Sequence, residues 1–274
     1  MTRNKKSRPA PRDRSRPDRK RRGSNKPRSR GPSGPEEAEW LYGQHTVLEA
    51  LKNPKRRNEC LFLTENAAKR FDEVLRAAKV PSEIVPTGHI TRQTGPDAVH
   101  QGLLLKTSPL PPVDLQDILE RPGPIVVLDQ ITDPHNVGAV LRSATAFAAA
   151  GLVMTARHSP GASAVLAKSA SGGLEHVPIA KVTNLAKAIE TLLANGVPCI
   201  GLDSEAEDDL ETCVKDQARV ALVLGAEGKG LRHKTRETCD RLANIQVPGA
   251  IQSLNVSNAA ALALYIASRA AASG

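Results

Sequence analysis

The feature that most constrains this chain is an alternation of aliphatic runs and helical patterns after Pro124. Five short runs rich in Ile, Leu and Val lie at positions 125–129, 152–154, 199–202, 220–224 and 245–247. Segments with apolar residues at helical spacing separate these runs. Strands that are apolar on both faces and alternate with helices are typical of a parallel sheet covered on two sides. The pattern predicts an α/β domain with a mostly parallel sheet over residues 124–274.

Polar and glycine residues are concentrated in three loops of this predicted domain. They follow Leu128, Leu224 and Val247 and have the sequences DQITDPHNVG, GAEGKGLR and PGAIQSLNVSN. In open parallel sheets, ligands bind beyond the carboxyl ends of the strands. These loops are therefore the strongest indication of a functional site.

The glycine-rich second loop matches neither G-x-G-x-x-G nor G-x-x-x-x-G-K-[ST]. Lys229 is followed by Gly230 rather than by Ser or Thr, so no hydroxyl is present to hold Mg²⁺. Taken alone, a tight turn with glycines at positive φ is the simpler explanation of this loop.

The third loop precedes an Ala-rich helix that we expect to run to about Ala270. Several consecutive residues of the loop are of the helix-capping type. A helix N-terminus is a ready site for a carboxylate or a phosphate. A helix N-cap with more capping residues than it needs explains the same residues equally well.

The first loop leads into a helix whose arginine needs an explanation. Asn136 is a good N-cap, and the residues after it predict a helix packed into a core. The predicted core stripe is Val137, Leu141, Ala144 and Ala148, and the other face carries Gly138, Arg142, Thr145 and Ala149. At about 100° per residue, Arg142 lies roughly 140° around the helix from Val137. Its small neighbours leave room for RNA or a second protomer, although helix geometry alone favours an ordinary solvent-exposed arginine.

Residues 37–107 predict a small α/β domain. A helical pattern at residues 42–51 precedes a strand at 60–63, a helix at 67–78 and short strands at 84–85 and 103–105. Residues 108–123 are rich in proline and predict a linker with one short helix.

Residues 1–36 predict a disordered basic tail. Residues 1–35 contain 14 Lys and Arg against 2 Asp and Glu, a net charge of +12, whereas the rest of the chain has a net charge of −3. The tail has too few apolar residues to offset the entropy of ordering. We interpret it as an arm that binds nucleic acid through its phosphates; a solubility tail or a nuclear-type address is the alternative.

The cysteines argue against a metal site and a disulfide framework. Cys60, Cys199, Cys213 and Cys239 are far apart and form no C-x-x-C or Cys/His cluster. Reduced thiols fit a cytoplasmic protein. No apolar run reaches membrane-spanning length, so we expect a soluble chain that binds no membrane.

Together, the three loops resemble the motifs of a known family. DPHNVGAVLRSATAF, LVLGAEGKGLR and IQVPGAIQSLNVSNAAALAL are similar to motifs 1, 2 and 3 of the SpoU (TrmH-like) branch of the SPOUT RNA ribose 2′-O-methyltransferases. The resemblance covers about residues 124–270. Upstream, YGQHTVLEAL and AVHQGLLLK resemble the bacterial members that methylate a guanosine of 23S ribosomal RNA. The basic tail has no counterpart in this pattern.

The resemblance implies an α/β knot fold whose C-terminal segment threads a trefoil knot. It also implies S-adenosylmethionine as cofactor, a homodimer whose two protomers build the RNA site, and no metal. The implied reaction is methylation of a ribose 2′-hydroxyl of a guanosine in 23S ribosomal RNA. A transfer-RNA methyltransferase of the same branch and a non-catalytic RNA-binding assembly factor are the alternatives.

The resemblance also implies roles for single residues. Three are expected to line the cofactor pocket, namely Gly225, Ile245 and Leu254. Five are expected in the catalytic site, namely Asn136, Arg142, Glu227, Ser253 and Asn255. A guanidinium has five donors and no acceptor, so Arg142 is better suited to positioning a phosphate and stabilising an alkoxide than to acting as a base.

The other polar candidates have simpler interpretations. Glu227 is equally well explained as a structural acceptor for backbone amides. His135 is interpreted as structural, and His45 and His100 as packing or RNA-contact residues.

Overall fold

The computed structural model describes residues 38–157, 160, 163–250 and 253–273 and contains two β-sheets. The predicted basic tail of residues 1–36 lies outside the described residues. Within those residues, we find no helix with the length and apolar character required to span a bilayer.

The first sheet belongs to the small domain and has the strand order β1-β4-β2-β3. Its elements are β1 (Glu39–Tyr42), α1 (Gln44–Lys52), β2 (Asn58–Leu63), α2 (Glu65–Arg70), α3 (Asp72–Ala78), β3 (Ser82–Ile84), α4 (Thr87–Thr94) and β4 (Leu103–Thr107). β4 is antiparallel to β1 and β2, and β3 is parallel to β2. One sheet face buries Leu41, Leu61 and Leu105 in a core that also contains Val47 of α1.

The helix predicted over residues 67–78 is wrong in one respect, because it is two helices that meet at Phe71. Phe71 has φ −117° and ψ 18°, which ends α2 and begins α3. The Phe71 side chain is buried in the core, whereas α3 buries no residue. The break at Phe71 therefore accompanies burial of its ring while α3 stays at the surface.

The linker contains the predicted short helix, α5 (Leu115–Leu119). Asp114 begins this helix with a capping box, in which its side chain accepts from Gln116 N and Asp117 N. The helix buries Ile118 against the second sheet.

The second sheet has six strands in the order β10-β8-β9-β5-β6-β7, and every strand pair is parallel. Its strands are β5 (Ile125–Asp129), β6 (Gly151–Thr155), β7 (Ile179–Val182), β8 (Cys199–Leu202), β9 (Ala221–Gly225) and β10 (Arg241–Ala243). The connecting helices are α6 (Pro134–Ala146), α7 (Ala164–Ala170), α8 (Leu185–Ala194), α9 (Leu210–Val214), α10 (His233–Thr238) and α11 (Val256–Ser273). The predicted α/β class with a mostly parallel sheet is confirmed.

Helices cover both faces of this sheet. Val126 and Leu128 of β5 point into a core shared with α6, α9 and α11. Ile125 and Val127 point into the opposite core, which contains residues of α5 and α8. The near-continuous aliphatic runs follow from this burial on both faces.

The two edge strands are where the sequence prediction was wrong. The run at residues 245–247 is not a strand, and the true edge strand is β10, a few residues earlier. β7 was not predicted at all, because Lys181 interrupts its apolar residues. Edge strands have fewer neighbours to cover them, so they do not need the aliphatic run that identifies a central strand.

The start of α6 also differs from the prediction. Asp133, not Asn136, is the N-cap, since its carboxylate accepts the His135 backbone N–H at 3.0 Å and Pro134 occupies the first turn. Proline is favoured at this position because its missing N–H would be unsatisfied there anyway. Asn136 therefore lies inside the helix, and its side chain is released from capping.

The small-residue face of α6 is filled by the chain itself, which corrects the expectation of room for a large partner there. A Cβ on Gly138 would lie 2.5 Å from the Ser169 Cβ of α7 and 2.6 Å from the Leu166 carbonyl oxygen. Ala148 is exposed rather than in the core, because α6 ends at Ala146 and Ala148 has φ 49°. On this face Arg142 is exposed and Thr145 is half-buried, whereas Gly138 and Ala149 are buried. The small Gly138 therefore serves close packing of α7 on α6.

A buried ion pair joins the small domain to the large one. The Arg56 side chain is 1% exposed and donates to both carboxylate oxygens of Glu175, which is 2% exposed and ends a 3₁₀ turn at Gly173–Glu175. Arg56 also donates to Glu39 at 2.9 Å and to the Ser108 carbonyl at 2.9 Å. Planar, bidentate pairing of this kind fixes orientation as well as contact. The relative placement of the two domains is thus held by directional bonds.

Candidate functional site

A crevice of about 330 Å³ opens at the carboxyl ends of β8 and β9. It is lined by residues 202–204, 224–228, 230, 243, 245, 247, 253, 254, 256 and 259. The lining therefore comes from the ends of three neighbouring strands and from the start of α11. This is the position at which parallel sheets bind ligands.

One wall of the crevice is the glycine loop, residues 225–231. The Gly230 N–H donates to the Ala226 carbonyl at 2.8 Å, so the loop folds back on itself. A Cβ on Gly225 would lie 2.1 Å from the Gly230 carbonyl carbon, a distance that no side chain tolerates. Gly225 is therefore required by the closure of the loop.

The three predicted motifs meet at Glu227. Its Oε1 accepts from Asn255 Nδ2 at 2.6 Å, from Asn136 Nδ2 at 3.2 Å and from the Val256 backbone N–H at 3.3 Å. Asn255 Nδ2 also lies 3.2 Å from Asn136 Oδ1, and Asn255 Oδ1 accepts from the Ser257 N–H at 2.8 Å. One carboxylate thus joins α6, the glycine loop and α11. Glu227 also serves the structural role considered as its alternative, since one of its donors is a backbone amide.

The residues predicted to line a cofactor pocket all line this crevice. Gly225 and Ile245 lie on its walls, and Leu254 lies beside Ser253 just before α11. Ile245 has this position although it is not in a strand, because the chain passes the crevice after leaving β10.

Arg142 lies in a different depression, of about 270 Å³, which shares no lining residue with the crevice. This Arg142 depression is lined by His45, Glu49, Arg142, Thr145, Ala146, residues 170–173 and His176. Arg142 follows Asn136 by six residues, or about 9 Å along the helix axis. The structure therefore brings Asn136, Glu227 and Asn255 together at the crevice and leaves Arg142 apart from them.

Both domains contribute charged groups to the Arg142 depression. Glu49 of α1 accepts from Lys52 Nζ at 2.8 Å, and its other carboxylate oxygen lies 2.9 Å from His176 Nε2. The hydrogen bond from Lys52 is the largest cause that holds the pKa of Glu49 below its usual range, and the bond to His176 adds to it. A carboxylate, two histidines and an arginine thus face one polar depression.

Two residues outside the predicted site support the glycine loop. Asp129 is fully buried at the end of β5, and it accepts from the Arg232 backbone N–H at 3.0 Å and from Arg232 Nε at 2.7 Å. In the sequence, Asp129 could have been recognised because it ends an otherwise aliphatic strand, where an unpaired charge would be energetically costly.

Two of the cysteines and His135 have structural environments. Burial raises the pKa of both Cys199 and Cys239 to about 12, so their thiols stay protonated. His135 Nδ1 lies 3.1 Å from Ser169 Oγ and connects α6 to α7. Among the residues described, no group of His, Cys, Asp and Glu has the arrangement of a metal site.

The chain matches two family models. The model described as the SpoU rRNA Methylase family matches residues 123–265, and the one described as RNA 2'-O ribose methyltransferase substrate binding matches residues 40–113. The two matches correspond to the large and the small domain.

Curated relatives cover nearly the same range. The chain is 38% identical over 237 residues to the 23S rRNA (guanosine-2'-O-)-methyltransferase RlmB of Ralstonia nicotianae, covering 84% of this chain and 94% of that protein. It is 37% identical over 241 residues to RlmB of Vibrio vulnificus, covering 84% and 96%. It is 32% identical over 238 residues to the putative TrmH family tRNA/rRNA methyltransferase YacO of Bacillus subtilis, covering 83% and 94%.

Solved structures share the fold. The SpoU methyltransferase AviRb from Streptomyces viridochromogenes superposes with a TM-score of 0.73 at 24% identity, over 86% of this chain and 91% of that one. The SpoU rRNA methylase model covers the domain that contains the crevice, and the relatives extend over both domains. The chain therefore belongs to the SpoU rRNA methylase family.

Proposed function

We propose that this protein transfers a methyl group from S-adenosylmethionine to the 2′-hydroxyl of a guanosine in 23S ribosomal RNA. The observation that carries the proposal is the hydrogen-bonded meeting of three family motifs at Glu227, beside a crevice at the strand ends. Support for the substrate comes from the RlmB proteins, which are similar over both domains.

The crevice fits the cofactor in its chemistry. Its apolar wall includes Leu224, Ile245 and Leu254, which suit an adenine ring, and Asp203 and Ser204 add polar groups at the end of β8. The closed turn of the glycine loop keeps side chains out of the wall near Gly225. When bound, S-adenosylmethionine supplies a sulfonium-activated methyl group.

The roles we assign follow from these positions. Asn136 and Glu227 hold the loops at the mouth of the crevice and the nucleotide, and Asn255 orders the start of α11. Ser253, which lines the crevice, and Asn255 arrange the knot and the target ribose. Arg142 positions a phosphate of the RNA and stabilises the developing alkoxide, because its fork offers only donors. The proton of the 2′-hydroxyl then leaves to a phosphate or to water.

A homodimer is part of the proposal, because one protomer keeps Arg142 and the crevice in separate depressions. Leu262 and Tyr265 of α11 are 42% and 49% exposed, which leaves apolar surface for a second copy on the helix whose start borders the crevice. We also propose that the C-terminal segment is threaded as a trefoil knot and that the enzyme works in the cytoplasm. We assign residues 37–107 to RNA selection, residues 108–123 to a linker and residues 124–274 to catalysis.

The decisive experiment maps 2′-O-methyl groups in ribosomal and transfer RNA with and without the gene. The expected result is the loss of one guanosine methylation in 23S ribosomal RNA, restored by the purified protein and S-adenosylmethionine. Loss of one transfer-RNA methylation with ribosomal RNA unchanged would establish the transfer-RNA alternative. An intact methylation map with defective ribosome assembly would establish the assembly-factor alternative.

A further inference from the structure

We propose that Asp129 and Arg232 form an anchor that holds the glycine loop in its cofactor-binding shape. Both are positioning residues, since they act through the loop and neither lines the crevice. The inference rests on the proposed function, because it takes S-adenosylmethionine to be the ligand of the loop.

Both oxygens of the Asp129 carboxylate accept hydrogen bonds from one residue, Arg232. Oδ2 accepts the Arg232 backbone N–H at 3.0 Å, and Oδ1 accepts Arg232 Nε at 2.7 Å. The Asp129 side chain is fully buried, whereas 44% of the Arg232 side chain is exposed. A buried carboxylate that loses its partner is strongly unfavourable, so Asp129 fixes the place of the Arg232 backbone as well as its side chain.

Both ends of the glycine loop are thereby tied to one residue of β5. Gly225 pairs directly with Asp129 in the register of β5 and β9. Arg232 follows the last residue of the loop and is bonded to the same Asp129. The six residues between Gly225 and Arg232 therefore form a loop with a fixed base.

Inside the loop, the hydrogen bond from Gly230 N–H to the Ala226 carbonyl closes the turn, but two glycines at positive φ add no rigidity of their own. Gly228 and Gly230 have φ angles of 74° and 62°, and a Cβ placed on either would meet no atom within 4 Å. Glycines in open space retain the largest backbone freedom of any residue. The loop also carries Glu227, so any spread in its shape would disturb both the crevice wall and the Glu227 network.

A second buried ion pair in the chain provides a matched control. Arg56 and Glu175 are 1% and 2% exposed, but they join the two domains and neither lines the crevice. A substitution in that pair should destabilise the fold by a similar mechanism without changing the loop. General destabilisation and loss of loop position can therefore be separated.

The test uses the full chain with Asp129→Asn, Arg232→Gln, both together, and Glu175→Gln as the control. S-adenosylmethionine affinity is measured by titration calorimetry well below the thermal midpoint of each variant. Each single variant should raise Kd roughly tenfold, because the loop loses a charge-assisted hydrogen bond that holds its base. The double variant should bind about as weakly as either single variant, since the two residues act as one unit.

The control should lower the melting temperature while leaving Kd within about twofold of the unsubstituted chain. Asp129→Asn and Arg232→Gln variants that melt earlier but bind S-adenosylmethionine normally would overturn the proposal. Because the Arg232 side chain is partly exposed, Arg232→Gln carries the test if Asp129→Asn does not fold. Failure of the proposed function has a different signature, namely no binding by the unsubstituted chain.

Discussion

The crevice and the Arg142 depression are built in different ways. The crevice lies within one domain, where loops from neighbouring parallel strands converge and one carboxylate binds three donors. The Arg142 depression lies between two domains and takes its walls from α1, α6 and the turn before His176. Strand geometry thus assembles the proposed cofactor side, whereas domain placement assembles the proposed substrate side.

Each region has its own buried ion pair. Asp129 and Arg232 support the crevice through the glycine loop. Arg56 and Glu175 hold the small domain, and with it Glu49, against the turn that contributes His176. Variants in the two regions should therefore change different kinetic and binding quantities.

The largest effect should come from Arg142. Arg142→Ala should lower kcat by about 10²–10³, the usual cost of removing a donor that stabilises developing charge. S-adenosylmethionine affinity should stay unchanged, because Arg142 does not line the crevice. Single-turnover methylation and calorimetry measure the two quantities. A change in cofactor affinity would contradict the separation of the two regions.

Arg142→Lys keeps the charge and removes the planar fork, so it serves as the matched variant. We expect it to resemble Arg142→Ala more than the unsubstituted enzyme, since a lysine presents a point charge rather than a fork. Near-normal turnover by Arg142→Lys would show that only charge is needed at this position.

Substitution of Glu227 should have the next largest effect, and it should change both kcat and S-adenosylmethionine affinity. Glu227→Ala removes the common acceptor of Asn136, Asn255 and Val256. Displacement of positioned groups by about an ångström costs roughly 10² in rate, so kcat/KM should fall by about that factor. Glu227→Gln retains Oε1 as an acceptor and should be affected less. Equal loss in both variants would indicate that the charge, rather than the network, matters.

A smaller effect should appear on acidification of the small domain. Burial lowers the pKa of His100 below the ordinary value of 6.5, and its Nδ1 accepts the Gly102 N–H at 3.1 Å. The unfolded chain therefore binds this proton more readily than the folded one. The stability contributed by the neutral ring is complete above about pH 6.5 and is lost as the pH falls from there through the lowered pKa.

Urea unfolding at successive pH values should show this loss as a free energy of unfolding that decreases when the pH falls below about 6.5. His100→Asn should reduce the pH dependence. The neighbouring Gln101 Oε1 accepts hydrogen bonds from the Gln44 backbone N–H at the start of α1 and from Lys168 Nζ of α7. The effect of protonating His100 is therefore expected on the side of the molecule that carries Glu49. If S-adenosylmethionine affinity fell together with the stability on acidification, the crevice and the Arg142 depression would be coupled, which would contradict their separation.

The smallest effect on either region should follow deletion of residues 1–35. The deletion removes a net charge of +12. The slope of log RNA affinity against log salt concentration should therefore become flatter. The methylated site and kcat should not change, because phosphate contacts carry no sequence information. An unchanged salt slope would contradict the proposed role of the tail in RNA binding.

The central part of the fold could be predicted from the sequence. β5 and β9 are aliphatic along their length because helices cover both of their faces. β7 and β10 are edge strands with polar residues, and their sequences do not distinguish them from loops. The helix α4 could not be predicted either, because Ile90 is the one buried residue of an otherwise polar helix and no apolar stripe marks it.

By itself, the sequence determined the parallel α/β class, the three polar loops and the family to which their motifs belong. These features are written in runs and spacings of neighbouring residues. Only the tertiary structure decided that Asp133 caps α6 and releases Asn136 to Glu227, that α7 fills the small face of that helix, and that Arg142 lies apart from the crevice. The Asp133 cap itself is a local contact with His135. The other contacts join segments far apart in the chain, and the local pattern of one segment does not contain the position of the other.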